Sequence, residues 1–395
     1  LAAHGALPDS VPDLIAEIER AGLVGRGGAA FPAAVKLSAV AAGSRPVVVV
    51  NGTEGEPMSA KDRSLLTRTP HLVLDGAISA ARAVGARDVL VAAPSHALPV
   101  LAAALAERHD GPRRARPRVS LTASAPGYVA GEETAVLAHL EGRPPRPRVT
   151  PPLPAHEGYR RRPTLVQNVE TLAHIGLIAR HGAGWFREAG TDDRPGTTLV
   201  TISGAVHAPG VYEVASGAAF DELVRTAGGA SEPMRAALVG GYFGAWVDPG
   251  AQRVALDDAT LRPLGAAVGA GVVVVLGESA CAVAEIARLS SYMAGESAGQ
   301  CGPCVNGLDA IAGVVGRFAS GHRTTGDSER LLRWTEMVRG RGACRHPDGV
   351  ARMLTSAVRV FREEFDDHAV YGPCEGCVAP ATLTLPAARR SRAAA

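Results

Sequence analysis

The six cysteines are the residues whose type and spacing bear most directly on chemistry: Cys281, Cys301, Cys304, Cys344, Cys374 and Cys377. None lies in the first 280 residues. Cys301-Gly-Pro-Cys304 and Cys374-Glu-Gly-Cys377 both have CxxC spacing, which lets two sulfurs face one centre across a turn. Such a pair could be a redox dithiol, half of a zinc site or part of an iron–sulfur site. The two pairs stand about 70 residues apart, wider than a compact zinc ribbon. Buried or free thiols would leave the same string. A disulfide framework would spread cysteines through the chain, and a chain this long does not need one, so the pattern points to a reducing compartment.

Three polar or glycine-rich segments could hold a ligand. Gly25-Arg26-Gly27-Gly28-Ala29-Ala30 matches a dinucleotide fingerprint as a string. The fingerprint needs a strand before the loop, and here an amphipathic helix pattern over 11–23 comes first. The glycines still let backbone amides approach a phosphate or a flat ring. A tight turn packing helix on sheet would read alike. Asn51-Gly-Thr-Glu54-Gly-Glu-Pro57 follows an apolar strand, where open α/β sheets bind ligands; a solvated turn is the plainer reading. In Gly127-Tyr128-Val-Ala-Gly131-Glu132-Glu133-Thr134 the carboxylates open a helix, where the helix dipole favours them.

These segments need a scaffold. Strands at 46–50, 88–93 and 118–122 alternate with helices at 71–84 and 95–108, the signature of a helix-covered parallel sheet. Further helices are expected at 131–140 and 168–180, with an extended proline-rich stretch over 143–154. Short strands then follow at 197–204, 211–214, 237–240, 245–247 and 272–276, with one helix at 220–227, which fits a β-grasp module. Beyond Gly277 only helical patterns appear, at 282–293, 305–320, 328–339 and 349–365, suggesting a four-helix bundle. The expected domains are 1–192 (α/β), 193–278 (β-grasp), 279–385 (helical), and a disordered tail over 386–395.

Composition narrows the function classes. The 395 residues suggest two or three domains. Lys+Arg 41 against Asp+Glu 39 gives +2, which does not support polyanion binding. Aromatics at 4% argue against nucleic-acid binding by base stacking. Apolar runs such as 47–50 and 272–276 fall far short of the roughly 20 residues that cross a bilayer. No signal-peptide pattern opens the sequence, which starts at Leu1 rather than Met.

Taken in order, the segments resemble the flavoprotein, NADH-binding subunit of respiratory complex I and its relatives in soluble hydrogenases and formate dehydrogenases. The stretches carrying the resemblance begin with Gly22-Leu-Val-Gly-Arg-Gly-Gly-Ala-Ala-Phe-Pro32, Asn51 to Pro57 with Lys61-Asp-Arg63, and Gly131-Glu-Glu-Thr134 with Leu140-Glu-Gly-Arg143. Pro163-Thr-Leu-Val-Gln-Asn-Val-Glu-Thr-Leu172, Ile202-Ser-Gly204 with Pro209 to Val214, Glu296 to Cys304, and Cys344 complete it. The resemblance implies an FMN-binding α/β domain, an SLBB-type β-grasp domain and a helical region holding a [4Fe–4S] cluster. By position it implies FMN contacts from Gly25, Arg26, Gly27, Lys36, Asn51, Glu54, Tyr128, Gly131, Glu132, Val166, Asn168 and Thr171. Arg26 and the loop amides would face the phosphate, Lys36 and Asn51 the flavin, and Glu133 the nicotinamide of NADH. Cys301, Cys304 and Cys344 would bind the cluster.

Two departures qualify these implications. The family's first cluster cysteine is Ala298 here, and a methyl group cannot ligate iron. Substitutes would be His346 (the first candidate), Ser297, Cys281, Cys374, Cys377, or a thiol or water from outside. Around the adenine of NADH, Ala39 and Leu153 stand where the family has rings, and Thr150 where it has a basic residue. Thr53 replaces an acidic residue beside the flavin, and Phe31 is retained.

The expected function is therefore an oxidoreductase passing electrons from NADH or another donor through FMN to an iron–sulfur cluster. Alternatives are an NADH-independent, ferredoxin-linked flavoprotein, a non-catalytic scaffold subunit, and a zinc-binding interaction protein. Ferredoxin or another electron-transfer subunit is the expected partner, without nucleic acid or membrane insertion. A cytoplasmic location is expected, with contact to the membrane face only through a partner.

Overall fold

The computed structural model describes residues 13–108, 117–248 and 255–386. The chain forms two compact units. The first takes in the chain as far as Gly55, then Ala60–Leu199 and Glu213–Gly217; the second takes in Glu56–Ser59, Val200–Tyr212 and the chain from Ala218 onward.

The first unit contains α1 (Leu14–Ala21), α2 (Ala33–Ala41), β1 (Val47–Asn51), α3 (Lys61–Arg68), α4 (Pro70–Val84), β2 (Asp88–Ala93), α5 (Leu98–Ala106), β3 (Arg118–Ala123), α6 (Glu133–Leu140), β4 (Thr164–Asn168) and α7 (Val169–Phe186). Its sheet has the order β3-β2-β1-β4, with all three pairings parallel. The valine run of β1 is wholly buried, as a parallel strand covered on both faces requires. Val48 and Val50 join the core formed with α1, α2, α4 and α7. Val47 and Val49 pack on the other face with Val136 and Leu137 of α6. Gly76 allows α4 to cross α7 closely: a Cβ there would lie 1.7 Å from the Leu172 carbonyl oxygen. The strand expected at 46–50 is thus seen, while α2, α3 and β4 are additions that the periodicity does not mark.

A second sheet is built from β5 (Thr197–Gly204), β6 (Gly210–Ala215), β7 (Met234–Val239), β8 (Ala245–Val247) and β9 (Val272–Gly277) in the order β6-β5-β9-β7-β8. β5 and β9 are parallel, and β7 is antiparallel to both β8 and β9. With α8 (Phe220–Thr226) it forms the expected small mixed sheet holding a helix. A short α9 (Asp258–Leu261) precedes β9.

After β9 come α10 (Ala282–Gly295), α11 (Asp309–Ser320), α12 (Asp327–Met337), α13 (His346–Val360) and α14 (Arg362–Tyr371). The expectation of four helices is corrected to five among the described residues. The single helix expected over 349–365 is two, because Phe361 leaves helical geometry at φ −109° and ψ 29°. The expected disordered tail lies, apart from residue 386, outside the described residues, as do the first two positions of the helix expected over 11–23. Among the described residues no helix is long and apolar enough to cross a membrane.

Candidate functional site

The carboxyl ends of β1 and β4 place Asn51 and Asn168 side by side in register. Asn51 Nδ2 donates to the Gly131 carbonyl at 2.8 Å, and its Oδ1 accepts from the Thr53 amide. Asn168 caps α7 by accepting from the Glu170 amide at 3.0 Å. The glycine loop folds against this edge. The Gly25 amide donates to the Phe31 carbonyl at 2.9 Å, the Arg26 amide to Thr171 Oγ1 at 2.9 Å, and a Cβ at Gly27 would lie 3.3 Å from Asn168 Cβ. Gly55 meets the turn Tyr128–Gly131 so closely that a Cβ would lie 2.4 Å from the Tyr128 carbonyl oxygen. Backbone, rather than side chain, therefore lines much of the strand ends, which is what a flat ring and a phosphate need for close approach.

The carboxylates divide by role. Glu54, at φ 45°, accepts from the amides of Asp62 at 2.9 Å and Arg63 at 3.1 Å, so it caps the start of α3. Glu132 caps α6 by accepting from Thr134 and Ala135; burial pushes its carboxyl up. Glu133 instead reaches across to α2, 2.7 Å from Lys36 Nζ. Both side chains are half-buried. Phe31, two residues before α2, and Leu153 are exposed, at 52% and 50%.

Beneath the strand ends lies a buried charge network that joins two of the stretches carrying the resemblance, Lys61-Asp-Arg63 and Pro163–Leu172. Lys61 Nζ contacts Asp62 at 2.6 Å, Glu170 at 3.1 Å and Asn168 Oδ1 at 3.1 Å. Glu170 also accepts from Thr198 and from the Leu199 amide. Burial alone would raise Glu170, but Lys61, His174 and Arg26 outweigh it and bring it to about 2. Burial and the neighbouring Glu54 push Asp62 up to about 6 despite Lys61.

The structure places two expected FMN residues differently from the rest. Arg26 is 5% exposed, and its Nη2 donates to the Thr197 carbonyl at 2.9 Å and reaches Pro195 and Ser216. Its Nη2 therefore braces the loop. Val166 is buried two residues short of the end of β4, packed with Val47 and Val49. Asn51, Asn168, Gly27 and Gly131 meet at the strand ends, whereas Lys36 is placed by its pair with Glu133 and Glu132 by its cap of α6.

In the second unit, Cys301 and Cys304 flank the start of a π-helical turn, Pro303–Leu308, and Cys344 lies just before α13. Burial pushes the Cys304 thiol up to about 12, reinforced by charge on Cys344 and Cys301, while a hydrogen bond with Ser297 opposes the shift. The Ala343 amide reaches Cys301 Sγ at 3.5 Å. Three thiols and a serine hydroxyl thus converge. His346 is buried, with Nε2 2.8 Å from the Met293 carbonyl and its ring edge-on to Phe243. Burial lowers it to about 4. Cys281, by contrast, sits at the start of α10, whereas Ser297 follows its end. A 14-residue helix spans about 21 Å. Cys281, and Cys374 and Cys377 that adjoin it, therefore belong to a different site and do not replace the missing cysteine.

An α/β sheet with a glycine-lined cradle at its strand ends, a β-grasp module and a three-cysteine helical region define a flavin and iron–sulfur electron-transfer class. The Nuo51 FMN-binding domain matches residues 18–177, the SLBB domain 199–241, and the NADH-ubiquinone oxidoreductase-F iron–sulfur binding region 284–368. The second F-type subunit of the NADH-quinone oxidoreductase of Rhizobium meliloti is 36% identical over 380 residues, covering 92% of this chain and 90% of that protein. The corresponding F-type subunit of Streptomyces coelicolor is 32% identical, covering 93% and 86%. A solved NAD+-reducing [NiFe]-hydrogenase in the H2-reduced state superposes with a TM-score of 0.86 at 34% identity, over 91% of this chain. This chain spans only 63% of that hydrogenase chain. The protein belongs to the family of F-type subunits of NADH-quinone oxidoreductase, and is an NADH-dehydrogenase-like flavoprotein of FMN and [4Fe–4S] type.

Proposed function

We propose that the strand-end cradle of the first unit binds FMN and that Cys301, Cys304 and Cys344 hold three corners of a [4Fe–4S] cluster. The observation supporting this most strongly is the meeting of Asn51, Asn168, Gly27, Gly55 and Gly131 at the ends of β1 and β4. That donor set fits a flat heterocycle with a phosphate. When bound, FMN supplies conversion between two-electron and one-electron transfer.

The chain's own residues then have distinct tasks. The loop amides at 27 and 28 receive the phosphate, those of Gly25 and Arg26 being bonded to the Phe31 carbonyl and Thr171, and Arg26 holds that loop through the Thr197 carbonyl. Asn51 fixes the turn at Gly131. Lys36 provides positive charge beside the ring and is itself positioned by Glu133. Glu133, half-buried, orients the incoming nicotinamide. Glu54 and Glu132 act through the helices they cap. Ser297, bonded to Cys304 and adjoining Ala298 in sequence, offers an oxygen for the position lacking a thiolate, ahead of His346, whose Nε2 is engaged with Met293.

The relatives' names specify NADH, and NADH is the donor we assign. Its affinity is reduced here because Ala39, Leu153 and Thr150 stand where rings and a base are expected. Base stacking contributes about 1–3 kcal/mol per ring in nucleic-acid sites. A partner electron-transfer subunit or a ferredoxin is the acceptor, as the designation of the relatives as subunits supports. An anaerobic NADH titration of the purified protein tests the donor. Flavin bleaching only at high NADH supports the reading, and no bleaching while dithionite reduces the flavin shifts the assignment to an NADH-independent donor.

A further inference from the structure

We propose that Cys281, His368, Cys374 and Cys377 form a tetrahedral zinc site that clamps the segment after α14 onto the start of α10. Their four ligand atoms all lie within 4.8 Å of one another. Cys377 Sγ is 3.4 Å from Cys281 Sγ and 3.9 Å from Cys374 Sγ. His368 Nε2 is 3.5 Å from Cys281 Sγ and 3.9 Å from Cys377 Sγ. Zn–S bonds of about 2.3 Å and Zn–N bonds of about 2.0–2.1 Å at tetrahedral angles would separate the ligand atoms by roughly 3.5–3.8 Å. The observed spacing therefore suits one small ion. A [4Fe–4S] cluster places its ligands on four separate irons and spreads them more widely.

The surroundings are arranged for this. His368 is 2% exposed, and its Nδ1 faces the Phe318 carbonyl at 3.3 Å. A proton on Nδ1 donates to that oxygen and leaves the Nε2 lone pair directed at the sulfurs, the usual support for a metal-bound histidine. The Ala284 amide donates to Cys281 Sγ at 3.3 Å. Gly376, between the two exterior cysteines, is required by close approach: a Cβ would lie 3.0 Å from the Cys281 nitrogen and 3.1 Å from the Ser279 oxygen. The segment then continues along α10, where Glu285 accepts from the amides of Thr382 and Leu383.

The site is separate from the cluster. Cys281, Cys374 and Cys377 fall outside the matched iron–sulfur region, which covers 284–368. They also gather at the end of α10 opposite Ser297. Binding is a ligand exchange without oxidation or reduction. Three S–H protons pass to solvent, three Zn–S bonds and one Zn–N bond form, and the site carries a net charge of −1. The proposal is independent of the flavin assignment.

Metal analysis of the purified full-length protein, with zinc and iron measured together, tests it. One zinc per chain is expected in the wild type and in Cys301→Ser. Cys374→Ser, at an exposed position, should surrender zinc to a chelator at least tenfold faster with its iron unchanged, and Cys377→Ser should lack zinc. Cobalt(II) exchanged into the wild type should show the intense visible bands of tetrahedral thiolate coordination, and Cys374→Ser should lose them. This cobalt measurement keeps the test valid if Cys377→Ser fails to fold. Substoichiometric zinc with no cobalt spectrum, iron at these four residues, or a Cys374–Cys377 disulfide in protein purified without oxidant would each overturn the proposal.

Discussion

Lys36 on α2 and Glu133 at the start of α6 are joined by a 2.7 Å ion pair, so a residue proposed beside the flavin is held by one proposed beside the nicotinamide. Neither belongs to the buried core, since both are half-buried. Charge-assisted bonds of this kind are about twice as strong as neutral ones. Glu133→Gln should retain FMN at the wild-type ratio while NADH-driven flavin reduction slows by about tenfold or more, a charge-dependent positioning loss. Lys36→Met should instead weaken FMN itself. Rapid-mixing rates and flavin content separate the two variants, and equal effects on both quantities would contradict the division of roles.

Gly55 tests the cradle through shape alone. A Cβ there would collide with the Tyr128 carbonyl at 2.4 Å, so Gly55→Ala must displace the turn carrying Gly131. Overpacking of this kind costs about 1–3 kcal/mol. FMN occupancy should fall sharply while far-ultraviolet circular dichroism stays unchanged. Full occupancy would place the flavin elsewhere.

Leu153 tests the adenine side. Leu153 is half exposed, so a larger ring can be accommodated without displacing core atoms. Leu153→Phe should tighten NADH by about tenfold, corresponding to roughly 1.4 kcal/mol within the range for base stacking. Unchanged affinity would show that this position does not face the adenine.

Ala298→Cys should supply a fourth thiolate beside Ser297 and Cys304. The cluster's reduction potential should fall, because a thiolate carries more negative charge than an oxygen or imidazole ligand. Redox-poised EPR of wild type and variant measures this. An identical spectrum and potential would show that residue 298 does not approach the cluster.

Glu170 gives the first unit a dependence on acid. Its carboxyl lies at about 2 against an ordinary 4.5, so the folded state binds its proton less readily than the unfolded state. The stability it contributes is complete above about 4.5 and disappears as pH falls toward 2; linkage makes it on the order of 3 kcal/mol. Asp62, raised to about 6, contributes in the opposite direction between about 4 and 6. Glu170→Gln should lower stability at neutral pH and flatten the acid limb of a denaturation midpoint against pH. An unaltered acid limb would contradict the assignment.

Local patterns reveal much of this architecture. The valine run of β1, the helix of α4 and the strand β2 follow directly from burial periodicity and glycine caps. β4 is not legible, because five residues after a proline-rich stretch carry no period, yet this strand delivers Asn168 to the site. The break at Phe361 that makes α13 and α14 separate helices also has no sequence mark. Arg26 shows a different limit: its position in a glycine loop suggests a phosphate ligand, and nothing in the string shows that its Nη2 also reaches three oxygen acceptors at 195, 197 and 216. His368 is hard to single out because it lies six residues before Cys374 on another element. A histidine shortly before a CxxC pair is the signal that points to it.

A flavin and an iron–sulfur cluster in electronic communication within one chain are the core of this account. Stepwise anaerobic reduction of the purified protein, followed by flavin absorbance and low-temperature EPR together, tests it most directly. The predicted result is stoichiometric FMN that bleaches, together with a cluster signal that appears on reduction and is absent in Cys304→Ser, which still retains its flavin. Protein with full FMN and no reducible cluster signal, or with a cluster signal that survives Cys304→Ser, would contradict it.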